Sequence, residues 1–158
     1  MAVLDAALDE LPHTQRRLTP RALTEWIRLR YELVLAFVFF ARQDSCVSLL
    51  SSDHGIDESF LWLRLTEKMK RGWAFRRVLR IPLRAHPCEG VASAIPKLAQ
   101  LGRAFVRARD ALAPTDSQSP PFLFQLPGEP KPTTKHMATR VANTLAYHGI
   151  TPPPASPT

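Results

Sequence analysis

The stretch RQDSCVSLLSSD at residues 42–53, followed by FLWLRLTEKMKRG at residues 60–72, decides how this chain folds. Arg42 closes a strongly apolar segment at residues 33–41, and Glu32 stands at its other end. Val47, Leu49 and Leu50 then read as a short helix, and SSDHG at residues 51–55 as a turn. Phe60, Trp62 and residues 63–65 read as one strand and residues 77–81 as a second. The segment between them holds Lys68, Lys70, Arg71, Gly72, Trp73 and Arg76, so it is the tip of a β-hairpin, closed by Pro82. Residues 64–84 contain eight basic side chains against the single acid Glu67. Arg42 and a hairpin lysine therefore put two cations where a phosphate can sit.

Outward from this stretch the pattern is helical. Thr19 and Pro20 suit an N-cap and first helical position. Leu23, Trp26, Ile27, Leu33, Val34 and Phe37 recur at helical spacing, with Arg21, Glu25, Arg28 and Arg30 expected on a solvated face. Residues 33–40 are almost wholly apolar, which predicts burial on all sides, with the Trp26 and 37–40 aromatics in the core. The helix either breaks near Arg30 and Tyr31 or continues to the domain centre. A second helix is predicted over residues 95–111, with Leu98, Leu101, Phe105 and Val106 inward. Residues 114–121 read as a loop and 122–124 as a short strand-like piece. Thr133 or Thr134 can cap a last helix carrying Met137, Val141, Leu145 and Tyr147, with Gly149 as its C′ residue. The expected fold is therefore mainly α with a small antiparallel β-hairpin or sheet: a segment at 1–18, a domain at 19–150 and a Pro-rich tail at 151–158 that cannot pack regularly.

A chain of 158 residues is long enough for one domain with a proper core. With 45% apolar and 22% charged residues, global disorder is not expected. Its 21 basic and 14 acidic residues give a net charge of +7, which suits a polyanionic partner. Cys46 and Cys88 lack metal-ligand spacing and read as free thiols of a reducing compartment, with a single disulfide between them as the alternative. No targeting segment stands out, and residues 33–41 are far too few to cross a bilayer. His54, His86 and His136 are scattered, so no metal site is expected. No glycine-rich phosphate loop, Ser-His-Asp arrangement or Cys-x-x-Cys pair is present, and no cofactor is expected.

The ordered set resembles the tyrosine recombinases and phage-type integrases over residues 19–150. In that family the first active-site arginine ends a buried helix, with a leucine seven residues on and an aspartate eleven on. Arg42, Leu49 and Asp53 hold those positions here, while Ser45 stands where the family favours glutamate. The resemblance assigns the hairpin lysine, which protonates the leaving 5′-hydroxyl, to Lys68, with Lys70 as the alternative. Residues 122–124 are similar to the family's Leu-Phe segment, and residues 133–150 to the helix that enters the major groove. The finer likeness is to divergent recombinases of eukaryotic mobile elements. The resemblance implies catalytic roles for Arg42 and Lys68 in DNA recombination and integration. It also implies DNA backbone contacts, an intracellular protein (nuclear if eukaryotic), and room for a homo-oligomer on DNA.

The family's His-x-x-Arg box and late nucleophilic tyrosine have no counterpart in these 158 residues. Tyr31 and Tyr147 both lie in predicted helices, and His148 has no arginine three residues on. Transesterification needs a nucleophile as well as oxyanion donors and a leaving-group acid. The expectation is thus DNA affinity, in a truncated or degenerate domain or one whose remainder is encoded downstream, without independent strand exchange. Lys70, Arg71, Arg76 and Arg77 of the hairpin, with Lys135 and Arg140 of the last helix, are the expected DNA contacts. Simpler roles compete. Arg42 can complement a helix C-terminus, hairpin-tip lysines are commonly solvated turn or edge charges, and Lys135, His136 and Arg140 can form an ordinary polar face. A different class of function is a basic helical protein that binds acidic protein partners, with residues 114–132 and the tail as docking elements.

Overall fold

The computed structural model describes residues 19–39, 43–68, 72, 74–84, 94–147 and 149. Helix α1 (Pro20–Val38) starts where the sequence places it: Thr19 Oγ1 accepts a hydrogen bond from the Ala22 amide at 3.2 Å, and Pro20 needs no donor in the first turn. It runs unbroken through Arg30 and Tyr31, because Ile27, Tyr31, Val34 and Leu35 keep one buried face across that point. Two expectations fail on this helix. Arg28 and Arg30 are not solvated but each only 4% exposed. Arg28 Nη1 donates to the Phe124 carbonyl and to Glu129, and the Arg30 guanidinium lies over the Trp26 ring. Conversely, Phe37 is 58% exposed, so burial at the helix end is one-sided, through Val34, Leu35 and Phe39.

Helix α2 (Gln43–Val47) stops before Leu49 and Leu50. Those two residues instead meet residues 121–123 edge to edge. Leu123 donates to the Leu49 carbonyl at 2.8 Å, Ser51 donates to the Pro121 carbonyl at 2.9 Å, and Leu50 bridges Phe122. The Leu-Phe piece is therefore strand-like only at Phe122, and Leu123 and Phe124 lie in a turn. The turn expected at residues 51–55 holds over Ser51–Asp53 as a 3-10 turn and gives way at His54 and Gly55 to a strand, β1 (His54–Ile56). A second turn follows β1. Asp57 Oδ1 accepts from the Ser59 and Phe60 amides at 2.7 and 2.6 Å, reversing the chain into β2 (Phe60–Lys68).

β2 pairs antiparallel with β3 (Ala74–Pro82), giving the order β1-β2-β3. The register sets Leu61 opposite Ile81, Leu63 opposite Leu79 and Leu65 opposite Arg77. Leu61, Leu63, Leu65 and Ile81 are buried, so this row faces the helices. Burying each such side chain contributes about 1.5–3 kcal/mol. The strands extend closer to the tip than predicted, and between them Gly72 has φ +80°.

Helices α3 (Ala94–Ala111) and α1 pack together against the inward row. Tyr31, Phe105 and Phe124 meet at the centre, with ring centroids 5.7–6.0 Å apart. Arg109, 3% exposed, fastens the far end of α3: Nη1 donates to Ser51 Oγ and the Leu123 carbonyl, while Nε and Nη2 hold Asp110. Helix α4 (Thr134–Tyr147) is capped by Thr133, whose Oγ1 accepts from the His136 amide, and Gly149 follows it at φ +71°. The fold is thus α+β with a three-stranded antiparallel sheet. Among the described residues, no helix is long and apolar enough to cross a membrane.

Candidate nucleic-acid interface

Strand alternation separates the basic residues of the hairpin into two rows. The outward row of β2 carries Phe60, Trp62, Arg64 and Thr66, facing Pro82, Arg80, Val78 and Arg76 of β3. Phe60 is 39% and Val78 49% exposed, and Arg76 and Arg80 are exposed too. In the register Glu67 is paired with Phe75, outside the pairs that hold Arg64, Arg76 and Arg80. Arg64 reaches Asp53 Oδ1 at 3.4 Å, at the edge of the row, and its guanidinium lies 6.0 Å from the Trp62 ring centroid. Trp62 leans over Gly55 of β1, so close that a Cβ there would meet the indole at 2.4 Å. Gly55 thereby lets the ring lie flat along the sheet beside Arg64.

Of the residues picked out from the sequence, Arg76 lies on this outward row. Arg77 is exposed but shares the row of Leu65 and Ile81, so Arg76 and Arg77 cannot serve one surface. Lys68 ends β2 opposite Ala74; the placement of its side chain, and of Arg42, Lys70 and Arg71, lies outside the described residues. Lys135 is exposed on α4. Arg140 is a correction. Its Nη2 donates to Glu32 Oε1 and Oε2 at 2.8 and 2.7 Å and its Nε to Oε2 at 3.2 Å, clamping a carboxylate with no exposure. Arg140 ties α4 to α1 and does not form a DNA-facing surface, because leaving Glu32 buried and unpaired is too costly.

Leu49 and Asp53, at the spacing that the family resemblance used, are 3% and 6% exposed. Leu49 belongs to the main core, and Asp53 pairs with Arg64. Within residues 114–132, offered above as docking elements, residues 114–119 are exposed and residues 121–129 are held to the body. Leu123, Phe124 and Leu126 are buried in the core, and Arg21 donates to the Pro127 carbonyl at 3.1 Å. Glu129 binds Arg28; burial alone would raise its carboxyl, but Arg28, the Leu126 amide and Arg21 hold it below the usual range.

Sequence reasoning passed over Arg64 and Arg80 as individual contacts. The signal was present in the period-2 alternation of β2 and β3, which joins them to Trp62 and Arg76 on one face. Comparison with family models, curated proteins and solved structures returns no match.

Proposed function

We propose that this chain binds DNA through the outward face of its β2–β3 hairpin, as a tyrosine-recombinase-like domain that does not exchange strands by itself. One observation carries the reading: Arg64, Arg76 and Arg80 share a face with Trp62, Phe60 and Val78, and no acid stands in their register pairs. Guanidinium groups bind phosphate oxygens in a forked geometry, and contacts to the backbone release condensed counterions. The half-buried Trp62 ring and the exposed Phe60 beside them add apolar and aromatic surface for stacking. The element order supports the family resemblance: a buried helix before Arg42, an antiparallel sheet, and a Thr-capped final helix ending at Gly149.

Strand exchange is not part of the proposal for these residues. Tyr31 is fully buried with its hydroxyl bonded to His54 Nε2, and burial raises its phenol far above the ordinary tyrosine range. It cannot attack a phosphorus atom. Mobility-shift titration of duplex DNA is the test. Binding that Arg76→Glu weakens supports the reading. Binding of poly-glutamate with no binding of DNA would favour the acidic-partner class instead. A plasmid-nicking assay yields no covalent protein–DNA adduct, and an adduct would overturn the claim of inactivity.

A further inference from the structure

A cleft of about 290 Å³ opens between β1 and α3, on residues that, Gly55 apart, the hairpin reading does not use. Gly55 and Gly102 line it, and neither places a side chain across it. Gly102 also lets α3 approach β1 closely, since a Cβ there would sit 2.5 Å from Ile56 Cδ1. The charged lining is cationic: Arg103, Arg107 and Arg109 line it, and no aspartate or glutamate does. Arg103 and Arg107 stand four residues apart on α3, so they share one helix face. Such a like-charge pair weakens a helix unless an anion bridges it.

The three arginines differ in what holds them. Arg109 is buried and balanced by Asp110, and it positions the Ser51 hydroxyl at the cleft wall. Arg103 is braced by donating Nη2 to the Asp57 carbonyl at 2.9 Å, which leaves its other donors available. Arg107 is exposed, and no ion pair or hydrogen bond engages it among the described residues. His54 also lines the cleft. Its Nε2 is hydrogen-bonded with the Tyr31 hydroxyl, and burial lowers its pKa to about 4, which keeps the ring neutral.

We propose that this cleft binds a phosphate group, with Arg103 and Arg107 as the charged clamp and the His54 imidazole as a neutral partner. Two planar guanidinium groups match the paired oxygens of a phosphate dianion better than a single carboxylate. The cleft has room for a small phosphomonoester, being near the lower end of ordinary ligand pockets. The phosphate can belong to a free phosphomonoester or to a nucleic-acid backbone, and the two sources are separable by experiment.

The experiment is amide NMR of the full 158-residue chain at constant ionic strength in chloride. Inorganic phosphate and ribose 5-phosphate form one arm, a hydroxyl-ended oligonucleotide a second, and acetate a control. The proposal expects saturable shifts at the Ile56, Gly102 and Arg103 amides with phosphate and much weaker ones with acetate. Arg107→Ala, at an exposed position, lowers the phosphate affinity about tenfold with the rest of the spectrum intact. Movement of these amides by ribose 5-phosphate alone identifies a small-molecule ligand. Movement by the oligonucleotide as well identifies the backbone as a source. The proposal is overturned if neither arm moves these amides, if acetate matches phosphate, or if Arg107→Ala leaves affinity unchanged. Because the cleft and the outward hairpin face share no arginine, failure here leaves the DNA reading standing, and the reverse.

Discussion

Arg140 grips both carboxylate oxygens of Glu32 at 2.7–2.8 Å across 108 residues of sequence, and Glu32 has no solvent exposure. Burial raises the Glu32 carboxyl above the usual carboxylate range, and the Arg140 charge and hydrogen bonds pull it back only in part. Arg140→Ala leaves that charge uncompensated, a change that costs about 3–5 kcal/mol. Urea unfolding at neutral pH measures it. The loss shrinks as pH falls, because a protonated Glu32 needs no counter-charge. The double replacement Glu32→Leu with Arg140→Met costs far less. A stable Arg140→Ala protein with weakened DNA binding would contradict this assignment.

His54 responds to pH in the opposite sense to a surface histidine. Burial first, and the Arg109 charge second, lower its pKa from 6.5 to about 4. The unfolded chain takes up a proton below about pH 6.5 and the folded chain only below about 4. Stability is therefore flat above pH 6.5 and declines between 6.5 and 4, by at most about 3 kcal/mol at 1.36 kcal/mol per unit. NMR titration of the ring protons reads the folded value directly, and His54→Gln flattens the stability profile in that window. Titration of His54 near 6.5 in the folded protein would refute the buried, neutral assignment.

Two glycines respond differently to alanine. A Cβ at Gly102 would sit 2.7 Å from the Tyr31 hydroxyl and ring, which the core holds in place. Overpacking of this kind costs about 1–3 kcal/mol, against at most about 1 kcal/mol gained in helix propensity. Gly102→Ala is therefore destabilising in thermal unfolding. At Gly55 the obstacle is the half-buried Trp62 ring, which can swing outward. Gly55→Ala shifts Trp62 fluorescence toward a solvated environment and costs less stability. Equal losses at both sites would show that Trp62 is as fixed as Tyr31.

Cys46 is 1% exposed, and burial, followed by the charges of Glu32 and Asp44, pushes its thiol up to about 12. In a Cys88→Ser background the native protein resists a thiol-specific disulfide reagent, and unfolding releases the thiol to react. Rapid reaction of the native protein would mean that α2 opens readily.

Much of the framework is written in local signals. Thr19-Pro20 and Thr133 mark helix starts, Gly149 a helix end, and the alternation of Leu61, Leu63 and Leu65 an inward sheet row. β1 is hidden because it is three residues long and contains Gly55, and its existence depends on pairing with β2 rather than on its own propensity. The burial of Arg28, Arg30 and Arg140 is also invisible locally. Each is held by a partner supplied elsewhere in the fold or by a ring one turn away, and charge alone predicts a solvated position. The site is legible as a basic hairpin but not as a surface. Dividing Arg76 from Arg77, and joining Arg64 to Arg80, requires the strand register.

The central claim is that the outward hairpin face grips a nucleic-acid backbone, and the salt dependence of duplex DNA affinity tests it most directly. Arg76 and Arg80 are the residues to change, since Arg64 also serves the Asp53 pair. Each phosphate contact contributes about 0.9 to the slope of log affinity against log salt. The account predicts a steep slope for the native chain and one smaller by about 1.8 for the Arg76→Gln, Arg80→Gln double variant. DNA binding with the same slope in both proteins, or no DNA binding by the native chain, would contradict it.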